Sequence, residues 1–217
     1  MIAYIKGVFM LTEKIFALAH YADQVVIIVL LIMSIVSIAM IFERYVTLKK
    51  ISGESDRVRN RIKLALQSGN VQDFEDIAKD PSSAEGRAAG YAMKYLKAHG
   101  EKGFEDIFNT FILTEKSDLE KFLPVLATIS SNAPFIGLLG TVLGIMKAFN
   151  DLAVTQNSGQ QTVMAGISTA LVATAAGLFV AIPASIAFNY FTRKVRSTLT
   201  SIESVKDLGL AYAKSKV

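Results

Sequence analysis

Three stretches of the chain carry no charged residue, and each is long enough to cross a bilayer. The first covers 24–42, and the second is an uncharged run of 25 residues at 122–146. The third lies within 152–192 and has its apolar centre at 163–190. A membrane-spanning helix needs about 20 mostly apolar residues. The pattern therefore predicts an all-α membrane protein with three transmembrane helices.

The apolar centre of the third stretch is longer than one crossing requires. A helix over its 28 residues would be about 42 Å long, against about 30 Å of hydrocarbon. A strong tilt would accommodate the excess, but we favour a helix that continues beyond the membrane.

Basic residues flank the spans unevenly, which predicts an orientation. Seven Lys and Arg residues follow the first span within 43–63, and six follow the third, whereas 150–162 has none. Basic loops stay in the cytoplasm, so the N-terminus and 150–162 are expected outside. The predicted segments are an interfacial amphipathic helix on the outer side (1–23), the first span (24–42), a cytoplasmic helical insert (43–121), the second span (122–149), an outer loop (150–162), the third span (163–192) and a cytoplasmic tail (193–217).

The N-terminal segment and the cytoplasmic insert carry two local signals. Segment 1–23 is apolar at helical spacing but interrupted by charges, so it is either an interfacial helix or the frayed start of the first span. In the insert, Ser82 and Glu85 fit a capping box that opens a helix, and most of the insert's charges are interpreted as a solvated face.

Small residues and prolines interrupt the second and third spans. Glycines at helical spacing allow helices to approach closely in lipid, and prolines favour kinks. We predict helix packing at Gly137, Gly140, Gly144, Gly166 and Gly177, and shaping of the pore ends at Pro134 and Pro183.

Hydroxyl groups share these helix faces. Ser130 and Thr141 lie on one side of the second span, and Thr169, Thr174 and Ser185 belong to the third. Spacing alone leaves two interpretations open for the central threonines. Each bonds back to a carbonyl of its own helix, or each lines a lumen filled by water or a partner.

Asp, Glu, His, Lys and Arg are absent from the three apolar stretches 24–42, 122–146 and 152–192. A protein that moves protons across a membrane needs such a group part-way, so it would have to come from another polypeptide. The same absence argues against an intramembrane enzyme. The chain has no cysteine and only two histidines, so we expect no metal or other cofactor. The net charge of +4 is explained by basic membrane-flanking loops rather than by nucleic-acid binding.

Two segments resemble a known family. SNAPFIGLLGTVLGIMKAF at 131–149 and AGISTALVATAAGLFVAIPASIAFNYF at 165–191 are similar to the signature of the ExbB/TolQ/MotA proton channels, above all its ExbB/TolQ branch.

The resemblance implies a ring of subunits, taken to be a pentamer, in the inner membrane of a Gram-negative cell. The ring would surround single-helix partners of the ExbD or TolR kind, and a partner aspartate would face Thr141 and Thr174. Proton motive force would then do work on a TonB-like or TolA-like client. Thr169 stands where the branch often has glutamate. The alternatives are a non-conducting scaffold and the stator of a gliding-type motor.

Overall fold

Every element that the structure describes is a helix. The computed structural model describes residues 2–68, 72–154 and 160–215. Six helices fill these ranges: α1 (Ile2–Ser68), α2 (Gln72–Ala78), α3 (Ala84–His99), α4 (Phe104–Leu119), α5 (Leu123–Val154) and α6 (Gln160–Ser215).

Three of these helices are long and apolar enough to cross a membrane. The stretches that qualify are Gln24–Ile51 of α1, Leu123–Ala153 of α5 and Val163–Lys214 of α6. Each overlaps one of the three stretches that the hydrophobic pattern predicts, although Gln24–Ile51 and Val163–Lys214 extend well beyond them. Helix α6 has 56 residues, about 84 Å at the rise of an α-helix. It therefore does continue as a helix well beyond its apolar centre.

The backbone is more continuous than the predicted segments. Helix α1 covers the predicted interfacial helix, the first span and the start of the insert without a break. Helix α5 runs through Pro134, and α6 runs through Pro183. The side chains of residues 2–23 lie outside the described part of the chain, so the amphipathic character of that segment stays a prediction.

The chain divides into two compact units. The first unit comprises Met1–Ile41 and Val125–Ala187. Its core joins one face of α1, with Val26 and Leu30, to small residues of α5 and α6 such as Ala133 and Ala184. Large apolar side chains cover the outside, for example Phe179, which is 78% exposed. An apolar exterior of this kind suits contact with lipid or with other membrane helices.

The second unit comprises Phe42–Pro124 and Phe188–Val217. Its core is aromatic, with Phe74, Phe104 and Phe108 completely buried. Residues from the far end of α6, including Leu208 and Tyr212, complete that core. Tyr212 donates a hydrogen bond of 2.7 Å to Glu75 Oε1, and its ring centroid lies 5.4 Å from that of Phe74.

The start of α3 differs from the predicted capping box. The N-cap is Ser83, whose Oγ accepts a 2.9 Å hydrogen bond from the amide of Gly86. Ser82 instead donates its hydroxyl and its amide to Asp80, and these bonds lower the pKa of the Asp80 carboxyl. Glu85 is thus the second helical residue, one position too early for a capping box. It is also fully buried, unlike a solvated charge.

A second buried charge lies at the turn between α4 and α5. Arg44 is 3% exposed and forms an ion pair of 2.6 Å with Glu43. Its Nη1 donates to the carbonyls of Asp118 and Leu119 at 3.3 and 3.4 Å, where α4 ends. Its guanidinium carbon also lies 5.4 Å from the ring centroid of Phe122, a residue in the left-handed region with φ 65°.

Candidate functional site

Two facing glycines bring the backbones of α5 and α6 into direct contact. A Cβ added to Gly137 would lie 2.7 Å from the carbonyl oxygen of Ala173, and one added to Gly177 would lie 2.6 Å from that of Ala133. Real Cβ atoms do not approach oxygen so closely, so any larger residue would force the helices apart. The two backbones therefore touch here, as small residues permit in a membrane.

Three further glycines extend this contact toward the ends of α5 and α6 that adjoin residues 155–159. A Cβ on Gly140 or Gly144 would lie 2.7 Å from the Cβ of an α6 alanine, and one on Gly166 would lie 2.5 Å from the Cβ of Ala148. A Cβ on Gly140 would also lie 2.8 Å from Cγ1 of Val26 in α1. All five glycines that the sequence singles out thus lie in contacts between helices of one chain.

The two central threonines meet beside the facing glycines. Thr141 and Thr174 share a hydrogen bond between their hydroxyl oxygens. Thr141 Oγ1 also lies 3.2 Å from the Gly137 carbonyl oxygen and 3.4 Å from that of Ala170, and Thr174 Oγ1 lies 3.2 Å from the Gly137 oxygen. Thr141 Oγ1 therefore reaches a carbonyl of its own helix and two groups of α6 in the same chain, and the lumen-lining interpretation stays a prediction.

The pair has more hydrogen-bond acceptors than protons. Each hydroxyl carries one proton and two lone pairs, and the pair shares the carbonyls of Gly137 and Ala170 as alternative acceptors. Thr141 is 9% exposed, whereas Thr174 is only half-buried. A third group that reached Thr174 could therefore donate to a hydroxyl oxygen. It could equally accept a proton that rotates away from a carbonyl.

The remaining hydroxyls lie apart from this pair. Ser130 donates to the Ala127 carbonyl at 2.9 Å, and Thr169 donates to that of Ala165 at 3.0 Å, each within its own helix. Ser130 and the half-buried Ser185 are each eleven residues from the threonine on their own helix, about 16 Å along its axis. The structure thus brings together Thr141 and Thr174 and leaves the other three apart.

The prolines differ in their surroundings. Pro134 is half-buried on α5, whereas Pro183 is exposed on α6. Each lacks the amide that would bond to the carbonyl one turn earlier. Within the described part of the chain, no cluster of His, Cys, Asp and Glu could hold a metal ion.

The sequence matches a family of known proteins over a range that includes α5 and the threonine pair. Residues 81–204, more than half of the chain, match the MotA/TolQ/ExbB proton channel family. The chain belongs to this family. Within it, the similar proteins carry the names TolQ and ExbB, which places the chain in the ExbB/TolQ branch.

Three relatives illustrate the extent of the similarity. The Tol-Pal system protein TolQ of Pseudomonas aeruginosa is 52% identical over 83 residues, which cover 38% of this chain and 36% of TolQ. The biopolymer transport protein ExbB of Helicobacter pylori is 56% identical over 77 residues, 36% of this chain and 53% of that protein. ExbB of Xanthomonas campestris is 30% identical over 155 residues, 70% of this chain and 61% of that protein. The matched part thus spans between about a third and three-fifths of these relatives.

Two further polar residues, which the sequence pattern does not single out, lie near the threonine pair. Lys147 and Asp151 line a cleft together with Thr169. Their charges are visible in the sequence one helical turn apart, but 150–162 is predicted as a loop, whereas α5 extends to Val154. The carbonyl acceptors at Gly137 and Ala170 have no signal in the sequence at all, because every residue carries one.

Proposed function

We propose that this chain is the ring-forming subunit of a proton-driven motor in the inner membrane, of the ExbB/TolQ type. One observation carries the proposal: a hydrogen-bonded hydroxyl pair, Thr141 and Thr174, lies in the stretches 122–146 and 152–192, which contain no Asp, Glu, His, Lys or Arg. Threonine has no accessible pKa, so this site positions a proton carrier without being one. The carrier is a carboxyl group on another polypeptide.

The threonine pair suits both protonation states of that carboxyl group. Toward a carboxylate, the Thr174 hydroxyl turns its proton away from the Gly137 carbonyl and donates it to the partner. Toward a neutral carboxylic acid, the same hydroxyl oxygen accepts a hydrogen bond. While no partner is in place, one hydroxyl proton lies in the bond between the two threonines, and the Gly137 and Ala170 carbonyls are alternative acceptors for the other. Discharge and reloading of the partner thus leave no buried polar group unsatisfied.

The assembly follows the family resemblance. Several copies, taken to be five, surround the single transmembrane helices of an ExbD-like or TolR-like partner that carries an aspartate. The N-terminus and 150–162 face the periplasm, and the insert and tail lie in the cytoplasm, as the Lys and Arg distribution indicates. Proton flow turns or shifts the partner within the ring, and that motion does work on a TonB-like or TolA-like protein.

Co-expression with a candidate partner tests this function. The partner is a protein of one N-terminal transmembrane helix with an aspartate near its start, taken from the adjacent reading frame. The purified complex is reconstituted in liposomes, and proton flux is measured under an imposed gradient. We expect flux that needs the partner's aspartate. A non-conducting scaffold would co-purify in the same way but show no flux.

Two variants examine the role of the hydroxyl pair within that assay. Thr174→Val removes one hydroxyl at nearly constant volume, and we expect a loss of flux of about tenfold or more, because a bond to a charged group is lost. Thr174→Ser retains the hydroxyl and is the matched control. Full flux from Thr174→Val, or full flux from the chain without any partner helix, would overturn the proposal.

A further inference from the structure

An open cleft enters the first unit between α5 and α6, beside Ile27 of α1. Its volume is about 170 Å³, and most of its lining comes from glycines and alanines. Three polar side chains interrupt this lining: Lys147, Asp151 and Thr169. A cavity needs only about 10–15 Å³ of such space to hold one water molecule, so the cleft has room for several.

The cleft runs deep into the stretch that crosses the membrane. Thr169 lies six residues after Val163, where the apolar stretch of α6 begins, and Ala173, at the inner end, lies ten residues after it. At 1.5 Å per residue these depths are about 9 and 15 Å, against about 30 Å of hydrocarbon. The cleft thus reaches from the ends adjoining residues 155–159 past the level where lipid tails would begin.

The chemistry of the lining favours water over a lipid chain as its occupant. Charged side chains are costly in hydrocarbon unless water or a counter-charge reaches them. Lys147 and Asp151 are opposite charges one helical turn apart, and both face this one cleft. The Thr169 hydroxyl donates to Ala165 but keeps lone pairs that water can bond to.

The cleft also adjoins the threonine pair. Ala170 lines the cleft, and its carbonyl oxygen lies 3.4 Å from the hydroxyl of Thr141. Ala173, at the inner end, directly precedes Thr174 in α6. The cleft therefore adjoins the threonine pair through the backbone of Ala170 and Ala173.

We propose that this cleft is a water-filled vestibule that brings protons from the bulk toward the threonine pair. Asp151 offsets the charge of Lys147, which would otherwise repel hydrated protons from the cleft. Whether water fills the cleft can be tested on this chain without its partner. Its use as a proton route rests on the proposed function.

Cysteine accessibility tests the water content, and the chain offers a clean background because it has no cysteine. Thr169→Cys and Asp151→Cys are compared with Leu171→Cys, a position that is apolar, 56% exposed and nearly at the depth of Thr169. The full chain in membrane vesicles reacts with a charged, lipid-insoluble thiosulfonate. We expect the thiols at positions 169 and 151 to react about 100-fold faster than the thiol at position 171, because a charged reagent is excluded from hydrocarbon.

Equal labelling rates at positions 169 and 171 would overturn the proposal. Suppose that Thr169→Cys reacts no faster than Leu171→Cys with the charged reagent, while both variants react with a lipid-soluble maleimide. The cleft then holds lipid, and the proposal is wrong. The maleimide reaction also shows that each variant is inserted in the membrane and that its thiol is intact.

Proton flux in the partner complex then tests the route. We expect Asp151→Asn to lower flux roughly tenfold, because steering by a charged cleft accelerates entry by about that factor, and Asp151→Glu to restore it. Unchanged flux in Asp151→Asn would overturn the route. An absence of flux from the unmodified complex would instead overturn the proposed function, and the labelling result would stand.

Discussion

Gly137 of α5 and Gly177 of α6 face each other so closely that a Cβ on Gly177 would lie 3.1 Å from the Cα of Gly137. The same Cβ would lie 2.6 Å from the carbonyl oxygen of Ala133. The Gly137 carbonyl lies within hydrogen-bond distance of both central threonine hydroxyls. Close backbone packing and the hydroxyl pair therefore depend on the same short segment of α5.

We expect Gly177→Ala to destabilise the chain by about 1–3 kcal/mol, the usual cost of overpacking. The added methyl group pushes α5 away and lengthens the bonds at the threonine pair. The measurement is equilibrium unfolding of the full chain in mixed detergent micelles. Ala175→Val, which adds more volume on an exposed part of α6, is the control. Equal losses in the two variants would show that the helices are not in contact at Gly177.

Thr141→Val is expected to cost about 1 kcal/mol of unfolding free energy, because interhelical hydrogen bonds in membrane proteins contribute about 0.6 and at most about 1.7 kcal/mol. The matched control is Thr169→Val. Thr169 is exposed, and its hydroxyl bonds within its own helix. Unfolding in the same micelles compares the two. A larger loss at Thr169 would contradict the bond between α5 and α6.

Arg44→Ala should lower the unfolding free energy by about 2 kcal/mol, because hydrogen bonds that involve a charged group contribute about 1.5–3 kcal/mol. The carbonyls of Asp118 and Leu119 and the ring of Phe122 lose their shared cation. Arg44→Lys should recover only part of the loss, since one ammonium group cannot reach Glu43 and both carbonyls together. Lys50→Ala, at an exposed position of α1, is the control, and a loss as large there would refute the role of Arg44.

Ser83→Ala should weaken the start of α3 by about 1 kcal/mol, the typical value of an N-cap. Hydrogen exchange reports it directly: the Gly86 amide donates to Ser83 Oγ, so its protection should fall about fivefold. Ser82→Ala is the neighbouring control and should leave that amide unchanged. Loss of protection at the Glu85 amide in Ser82→Ala, with the Gly86 amide unchanged in Ser83→Ala, would instead support the capping box that the sequence predicts.

Much of the transmembrane part of the fold can be predicted from the sequence, because backbone polar groups in lipid must be hydrogen-bonded within the protein. A run without charges and long enough to cross, such as 122–146, fits a transmembrane helix and little else. The glycine spacing likewise marks where helices can touch. Pairing Gly137 with Gly177, however, requires the relative register of two helices, which no residue type encodes.

The features that the sequence did not reveal depend on backbone atoms and on helix ends. Two adjacent serines fit the cap equally well by composition, and only the extended φ and ψ of Ser83 select it. Arg44 binds carbonyl oxygens, which every residue carries, so nothing in the sequence distinguishes Asp118 or Leu119 as its acceptor. Lys147 and Asp151 acquire a common cleft only because α5 continues through them to Val154.

The contribution of α6 to the aromatic core has a consequence for synthesis. Phe74 and Phe104 belong to helices made early, whereas Leu208 and Tyr212, which cover them, are translated after the last apolar stretch. Until then the aromatic rings remain exposed to solvent, and exposed apolar surface of this kind promotes aggregation and proteolysis. The core of the second unit is therefore completed only after the final turns of α6 have been synthesised.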